Sequence, residues 1–286
     1  MLEFRFERMR VGPGVLGCSR HYSCDDSPLT SLRERQKFFT ITTTVTDSYP
    51  VIIELHTRYR MNSLRFVDHG NANSWSSRMR NQRMSRFREA LGLFRDPVRI
   101  LDVGGTEHFW ASRGFLEQPN LSVTLVNIEY KVQPSNRIEA LVGDATALPF
   151  EDNSFDIVFS NSVIEHLFEW VAQERMAQEC VRVGRNHWVQ TPNYWFPIEP
   201  HFLCPGWQWL PVQLRIALIQ RIRVGQRGPV PDFAKASALV REIKLLSRSE
   251  VKQLFPSSNI VRESAFGLSK SWTAIGGDQF QGIHSF

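Results

Sequence analysis

An α/β fold built on a doubly wound, mostly parallel sheet is the class this sequence predicts, on three observations. Short apolar runs alternate with helical stretches from about residue 98 to residue 191. The runs are nearly continuous in Val, Ile, Leu and Phe, as strands covered by helices on both faces must be. Three of them end in acidic or glycine residues: Asp102 before Gly104-Gly105, Asn127 and Glu129, and Gly143-Asp144. In a parallel sheet those ends share one edge, and the crevice beyond that edge is where α/β folds place ligands.

Taken in order, residues 1–60 differ from the rest. Arg, Ser and Thr dominate, Gly12-Pro13-Gly14 interrupts, and Ile41 to Val45 is only a short β-branched run. The expectation is a poorly ordered extension, or a start assigned upstream of Met61, before a single domain over 61–286. Met84, Phe87, Leu91 and Phe94 then fall at helical spacing, with Arg78, Arg83, Arg86 and Arg88 expected on a solvated face. Asp96-Pro97 closes that helix.

Strand 98–103 leads to a helix near 107–117, strand 121–128 to a turn, and strand 139–142 to the Asp144 turn. Strand 155–160, a long helix from Val163 to about Val183, and strand 188–191 follow. Near the end, Ser247 with Glu250 three residues on reads as a capping box, and the helix closes at Leu254-Phe255 before Pro256. Ile260 to Ala265 and Trp272 to Ile275 read as two strands joined through Gly267.

Composition narrows the partners. The 286 residues are 42% hydrophobic and 22% charged, an ordinary globular balance. No apolar run is long enough to span a membrane, and Met1 to Arg10 is too charged for a secretory signal, so a cytoplasmic location is expected. A net charge of +5 does not suggest dedicated nucleic-acid binding. Cys18, Cys24, Cys180 and Cys204 lack metal-ligand spacing, so no metal site is expected from them.

The run Asp102-Val103-Gly104-Gly105, followed by Gly143-Asp144-Ala145 and then by Phe155-Asp156 through Asn161, resembles the class I S-adenosylmethionine-dependent methyltransferases. The closing helix-strand-strand is a second point of likeness. A nicotinamide-binding domain would carry G-x-G-x-x-G, which is absent. The resemblance implies seven strands in the order 3-2-1-4-5-7-6, with an antiparallel last strand, and S-adenosylmethionine as cofactor.

The resemblance also implies the cofactor residues. Gly104 and Gly105 would let the backbone approach the methionyl carboxylate, with Asp102 orienting the turn or taking the amino group through water. Glu129, or else Asn127, would hold the ribose diol. Asp144 would accept from the adenine amino group, Ala145 would offer its N–H, and Asn161 would contact the methionine moiety. The family turn is acidic-x-Gly-x-Gly-x-Gly, whereas Thr106 and His108 stand at the second and third glycine positions here. A β-branched residue disfavours positive φ, so the loop is expected to take another path, with Gly105 absorbing the bend.

For the acceptor, His166 follows Asn161 closely and reads either as a base or as a shaper of the pocket. Glu199 and His201 sit in a proline- and aromatic-rich segment after the fifth core strand, suited to touching substrate or to anchoring the loop. The expected activity is methyl transfer, at oxygen, to a small-molecule or lipid- or glycan-linked acceptor. The alternatives are a catalytically silent methyltransferase-like binding module and an RNA methyltransferase. Trp207, Trp209, Leu214, Ile216 and Ile219 with nearby arginines mark a helical insertion at about 202–230. It is expected either to pack as a cap or to touch a membrane peripherally through 202–223. Gly225 to Pro231 reads as a flexible return.

Overall fold

The computed structural model describes residues 39–43, 51–55, 75–95, 97–129 and 138–283, with side chains from residue 78 onward. The chain forms two units, Met1–Arg80 and Asn81–Phe286. In the first, β1 (Phe39–Thr43) and β2 (Val51–Leu55) pair antiparallel, with Phe39 opposite Leu55. The rest of the 1–60 extension, and the alternative start at Met61, lie outside the described residues. Helix α1 (Trp75–Leu91) contributes its residues from Asn81 onward to the second unit.

The second unit holds a seven-stranded sheet made of β3 (Val98–Val103), β4 (Leu121–Asn127), β5 (Ile138–Val142), β6 (Phe155–Asn161), β7 (Gly184–Pro192), β10 (Asn259–Ala265) and β11 (Leu268–Gly277). Its order is β10-β11-β7-β6-β3-β4-β5. Counting these strands along the chain, that is 3-2-1-4-5-7-6 read from the far edge, as expected. The pairs β3–β4, β3–β6, β4–β5 and β6–β7 are parallel, while β11 runs antiparallel to β7 and to β10.

Side chains alternate across a strand, and here both faces are filled. Ile100, Ile157 and Phe159 face one layer with Met84, Phe87 and Trp110. Leu101, Val103 and Val158 face the other with Met176, Ala177, Cys180 and Val251. The first layer is supplied by α1 and α2 (Glu107–Ala111), the second by α3 (Trp170–Val183) and α6 (Arg248–Leu254). Both halves of the Ser247–Glu250 capping box are made. The two-residue turn joining β10 to β11 holds Phe266 at φ 51° and Gly267 at φ 77°, a primed geometry that suits strand twist.

Four local expectations change. Gly114, at φ 67°, follows a helix that ends at Ala111 rather than near 117. The helix expected from Val163 breaks into a single turn, Ile164–His166, before α3 begins. The break has a tertiary cause: Glu165 turns its carboxylate inward to Thr191, and its carbonyl accepts from the Lys244 N–H. Arg83 is not on a solvated face but buried, as the site below shows. The return after Gly225 is pinned, because the Gln226 N–H donates to the Phe202 carbonyl and a Cβ at Gly225 would overlap that carbonyl.

Between β7 and α6 the chain builds a cap. It comprises β8 (Ile198–Glu199) paired with β9 (Cys204–Pro205), α4 (Val212–Arg221) and α5 (Phe233–Val240). Phe202, Trp207, Ile216, Ile219, Val224, Ala236 and Val240 form its own core. Part of the insertion's apolar surface is thus spent on the cap interior, while Trp209, Leu214, Ile222 and Phe233 stay exposed. Among the described residues, no helix is long and apolar enough to cross a membrane.

Candidate active site

Because β3, β4, β5, β6 and β7 are parallel, their carboxyl ends share one edge, and the candidate residues collect there. At the end of β3 the glycine loop takes its bend at Gly104, φ 81°, and not at Gly105. The Gly104 N–H donates to the Val126 carbonyl at 2.7 Å, tying the loop to β4. Thr106 escapes the positive-φ penalty because it sits extended, at φ −132°, and caps α2 by accepting from the Phe109 N–H. The departure from the three-glycine pattern is therefore absorbed without strain at Thr106.

Asp102 is buried beneath this loop, and Trp110 Nε1 donates to its Oδ2 at 2.6 Å. Its Oδ1 has no hydrogen-bond partner among the described residues. Burial pushes this carboxyl up to about 7, against the opposing pull of the Trp110 bond. A Cβ at Gly105 would overlap the Asp102 carboxylate, and one at Gly104 would overlap Val163. Both glycines are thus required by close approach.

At the end of β4, Asn127 directs Nδ2 toward the Gly104 carbonyl at 3.5 Å, while its Oδ1 accepts from the Ile128 N–H. Glu129 lies two residues beyond the strand on an exposed bend. After β5, Asp144 accepts from the Thr146 N–H at 2.8 Å and from its hydroxyl at 2.9 Å, which fixes the turn that carries Ala145. Asn161 closes β6, and Arg83 Nη1 donates to its Oδ1 at 2.5 Å.

That arginine heads a buried polar network. Arg83 also donates to Gln190 Oε1 at 2.9 Å and pairs with Glu263 Oε2 at 2.5 Å, and Ser271 donates to the same Glu263 oxygen. Glu263 is held below the usual carboxylate range: burial raises it, but the charges of Arg83 and Lys270 outweigh burial. Gln190 Oε1 also accepts from Ser162, whose φ of 61° turns the chain at the end of β6.

Beyond Asn161 lies a second cluster. Val163 packs against Gly104, and two residues on Glu165 is fully buried, its Oε2 accepting from Thr191 Oγ1 at 2.9 Å. Its Oε1 has no hydrogen-bond partner among the described residues and lies 4.0 Å from His201 Nε2. His201 Nδ1 meets Glu199 Oε1 at 2.7 Å; a carboxylate only accepts, so Nδ1 carries the hydrogen. The other Glu199 oxygen accepts from the Phe202 N–H at 2.5 Å. The His166 ring stands nearly perpendicular to His201, centroids 5.1 Å apart, and its Nδ1 is 3.9 Å from Glu242 Oε1.

The cluster is electrostatically strained. Burial pushes Glu165 up to about 7, opposed by its backbone hydrogen bond and by His201. Burial lowers His201, but the bond to Glu199 and the two carboxylate charges hold it above the ordinary histidine range. Burial and the neighbouring His201 lower His166.

The rim is preformed. Asn193 Nδ2 donates to the Ser269 carbonyl, Gln208 Nε2 to the Tyr194 and Phe196 carbonyls, and Trp209 Nε1 to the Tyr194 carbonyl. The structure thus brings together Glu199, His201 and His166 on one side, and Asp102, Gly104 and Asn127 on the other. Sequence reasoning missed Trp110 and Arg83 as partners and undervalued Glu165. Arg83 had a readable signal, since it stands four residues before Phe87 and so shares its inward face.

Residues 112–187 match the family described as "Methyltransferase domain". Over 205 residues the chain is 24% identical to a malonyl-acyl-carrier-protein O-methyltransferase of Methylococcus capsulatus, covering 63% of this chain and 73% of that protein. It is 31% identical over 102 residues to a namesake in Coxiella burnetii, covering 34% of each. Among solved structures, an S-adenosylmethionine-dependent methyltransferase from Methanosarcina mazei aligns at 14% identity and TM-score 0.41, over 64% of this chain and 93% of that one. A protein from Pyrococcus horikoshii aligns at 17% identity and TM-score 0.41, over 72% and 92%. With the 3-2-1-4-5-7-6 sheet, its antiparallel last strand and the match over residues 112–187, the chain carries a methyltransferase domain on the fold of the class I S-adenosylmethionine-dependent methyltransferases.

Proposed function

We propose that this enzyme methylates an oxygen of a small-molecule, carrier-, lipid- or glycan-linked acceptor held between the sheet edge and the 193–209 rim. The observation that carries the reading is His201 of the cap, clamped by Glu199 and facing Glu165, which lies on the segment that leaves Asn161 and packs through Val163 on the glycine loop. Both curated relatives named above are called O-methyltransferases, which supports oxygen as the acceptor atom.

The edge residues fit the donor. The unpartnered, buried Asp102 Oδ1 and the glycine backbone at 104–105 suit the cationic amino and carboxylate ends of its methionyl part. Asn127 or Glu129 would hold the ribose, Asp144 and Ala145 the adenine, and Asn161 the methionyl backbone side. S-adenosylmethionine supplies an electrophilic sulfonium methyl carbon when bound. The protein's part is to align the acceptor oxygen, exclude water and take up the hydroxyl proton at the histidine–carboxylate cluster. The thioether leaves without needing a proton.

The silent-module alternative rested on the altered glycine loop, which Thr106 accommodates as the cap of α2. The RNA alternative rested on an arginine-rich helix, from which Arg83 is withdrawn into the core. The test is transfer from tritiated-methyl donor to a panel of hydroxyl and carboxyl acceptors, including acyl-carrier-protein thioesters. Base-labile or hydroxyl-derived O-methyl product is expected. Donor binding without transfer to any acceptor class, or transfer to nitrogen only, would contradict the reading.

A further inference from the structure

We propose that Glu165, His166 and His201 form a binding site for one divalent transition-metal ion at the acceptor end of the crevice; this deepens the oxygen-methylation reading and rests on it. One ligand atom from each of the three residues lies within 4.8 Å of the others. Closeness alone would say little, but two further features point to a cation.

The first is the orphaned carboxylate oxygen. Glu165 is fully buried, Thr191 uses Oε2, and among the described residues Oε1 is left without a donor. A buried anion oxygen in that condition is costly unless something positive meets it. The second is the tautomer of His201. Its Nδ1 hydrogen is committed to Glu199, so in the neutral ring Nε2 presents a lone pair toward Glu165 Oε1. At 4.0 Å the pair is too long for a hydrogen bond. Two acceptors facing across such a gap leave room for an ion about 2.1 Å from each.

The surroundings match a metal centre. A ligating histidine usually donates its other nitrogen to a carboxylate, as His201 does to Glu199. His166, the third ligand, is partly open to solvent, which leaves an entry path and free coordination positions. Two imidazoles with one carboxylate favour the manganese-to-zinc series over all-oxygen sites for magnesium or calcium. An ion there would take the lone pairs of the cluster and replace it as the activating group: it would bind the acceptor hydroxyl oxygen and lower its pKa, so that the proton leaves to solvent, the alkoxide attacks the sulfonium methyl carbon and the carbon–sulfur electron pair stays with the thioether.

The test is titration of the chelator-stripped full chain with Mn2+, followed by electron paramagnetic resonance of the free ion. One Mn2+ per chain is expected. Glu165→Gln, which keeps the shape and the Thr191 bond, and His166→Ala, at a partly exposed position, should abolish uptake while leaving the circular dichroism melt in place. Glu199→Gln, which would reach the ion through His201 and also alters the bond to the Phe202 N–H, should weaken binding by about 10- to 100-fold. No Mn2+ taken up by folded protein, or equal uptake by Glu165→Gln and His166→Ala, overturns the proposal. Parallel calorimetry with S-adenosylmethionine separates the two readings. Donor binding and chelator-insensitive methyl transfer without ion uptake would sink the metal site alone. Stoichiometric Mn2+ lost in both variants, with no methyl transfer, would support the site and sink the oxygen-methylation reading.

Discussion

Replacing Arg83 by Met tests whether the front helix reaches into the site. Arg83 and Glu263 are 8% and 6% exposed and paired at 2.5 Å, with Asn161 and Gln190 as further acceptors. Methionine fills similar volume but strips Glu263 of its hydrogen-bonded counter-charge, leaving Ser271 as a donor and Lys270 as a more distant charge. Breaking a buried pair from one side costs about 3–5 kcal/mol, a large part of a domain's 5–15 kcal/mol. With a urea slope of roughly 2–3 kcal/mol/M, the unfolding midpoint should fall by about 1–2.5 M. Adding Glu263→Gln to Arg83→Met should recover a substantial share, because the uncompensated charge is then gone. A loss under about 1 kcal/mol for Arg83→Met, with no recovery in the double variant, would refute the buried network.

Two further perturbations probe the frame. His187 is buried beside Ser258 and pushed down to about 4 by burial, so the native state stays neutral where the unfolded chain, at 6.5, is protonated. Its contribution is present above pH 6.5 and is lost as pH falls from 6.5 toward 4, by up to about 3 kcal/mol. His187→Gln should flatten that part of the stability profile, and an unchanged profile would contradict the assignment. Gly105→Ala places a methyl against the Asp102 carboxylate and must displace it from Trp110, with a stability loss of about 1–3 kcal/mol and weaker donor binding. Wild-type stability and affinity in that variant would show the loop to be looser than described.

The sheet was legible because strands covered on both faces are continuous apolar runs, and because Ser247 and Glu250 announce their helix by side-chain chemistry alone. The cluster of His166, Glu199 and His201 was legible as residue types near the right strand ends, but not as a constellation. What joins it is Glu165, whose inward turn comes from Thr191 and Lys244, remote in sequence, so periodicity read Val163 to Val183 as one helix. The bend falls at Gly104 rather than Gly105, and Val163 and the Asp102 carboxylate keep both glycines small, tertiary demands that no local rule expresses. Arg83 looked solvated because charge was weighed above position; its partner Glu263 lies 180 residues away.

The most direct measurement is calorimetric titration of S-adenosylmethionine into the wild type, Asp144→Ala and Asn127→Ala. Among the described residues, the Asp144 side chain bonds within its own exposed turn and the Asn127 side chain to the loop and its neighbour, so both variants should fold. Saturable one-to-one binding to the wild type, weakened by about tenfold or more in each variant, is the predicted result. No binding to folded wild type, or equal affinity in all three, would contradict the placement of the donor at this sheet edge.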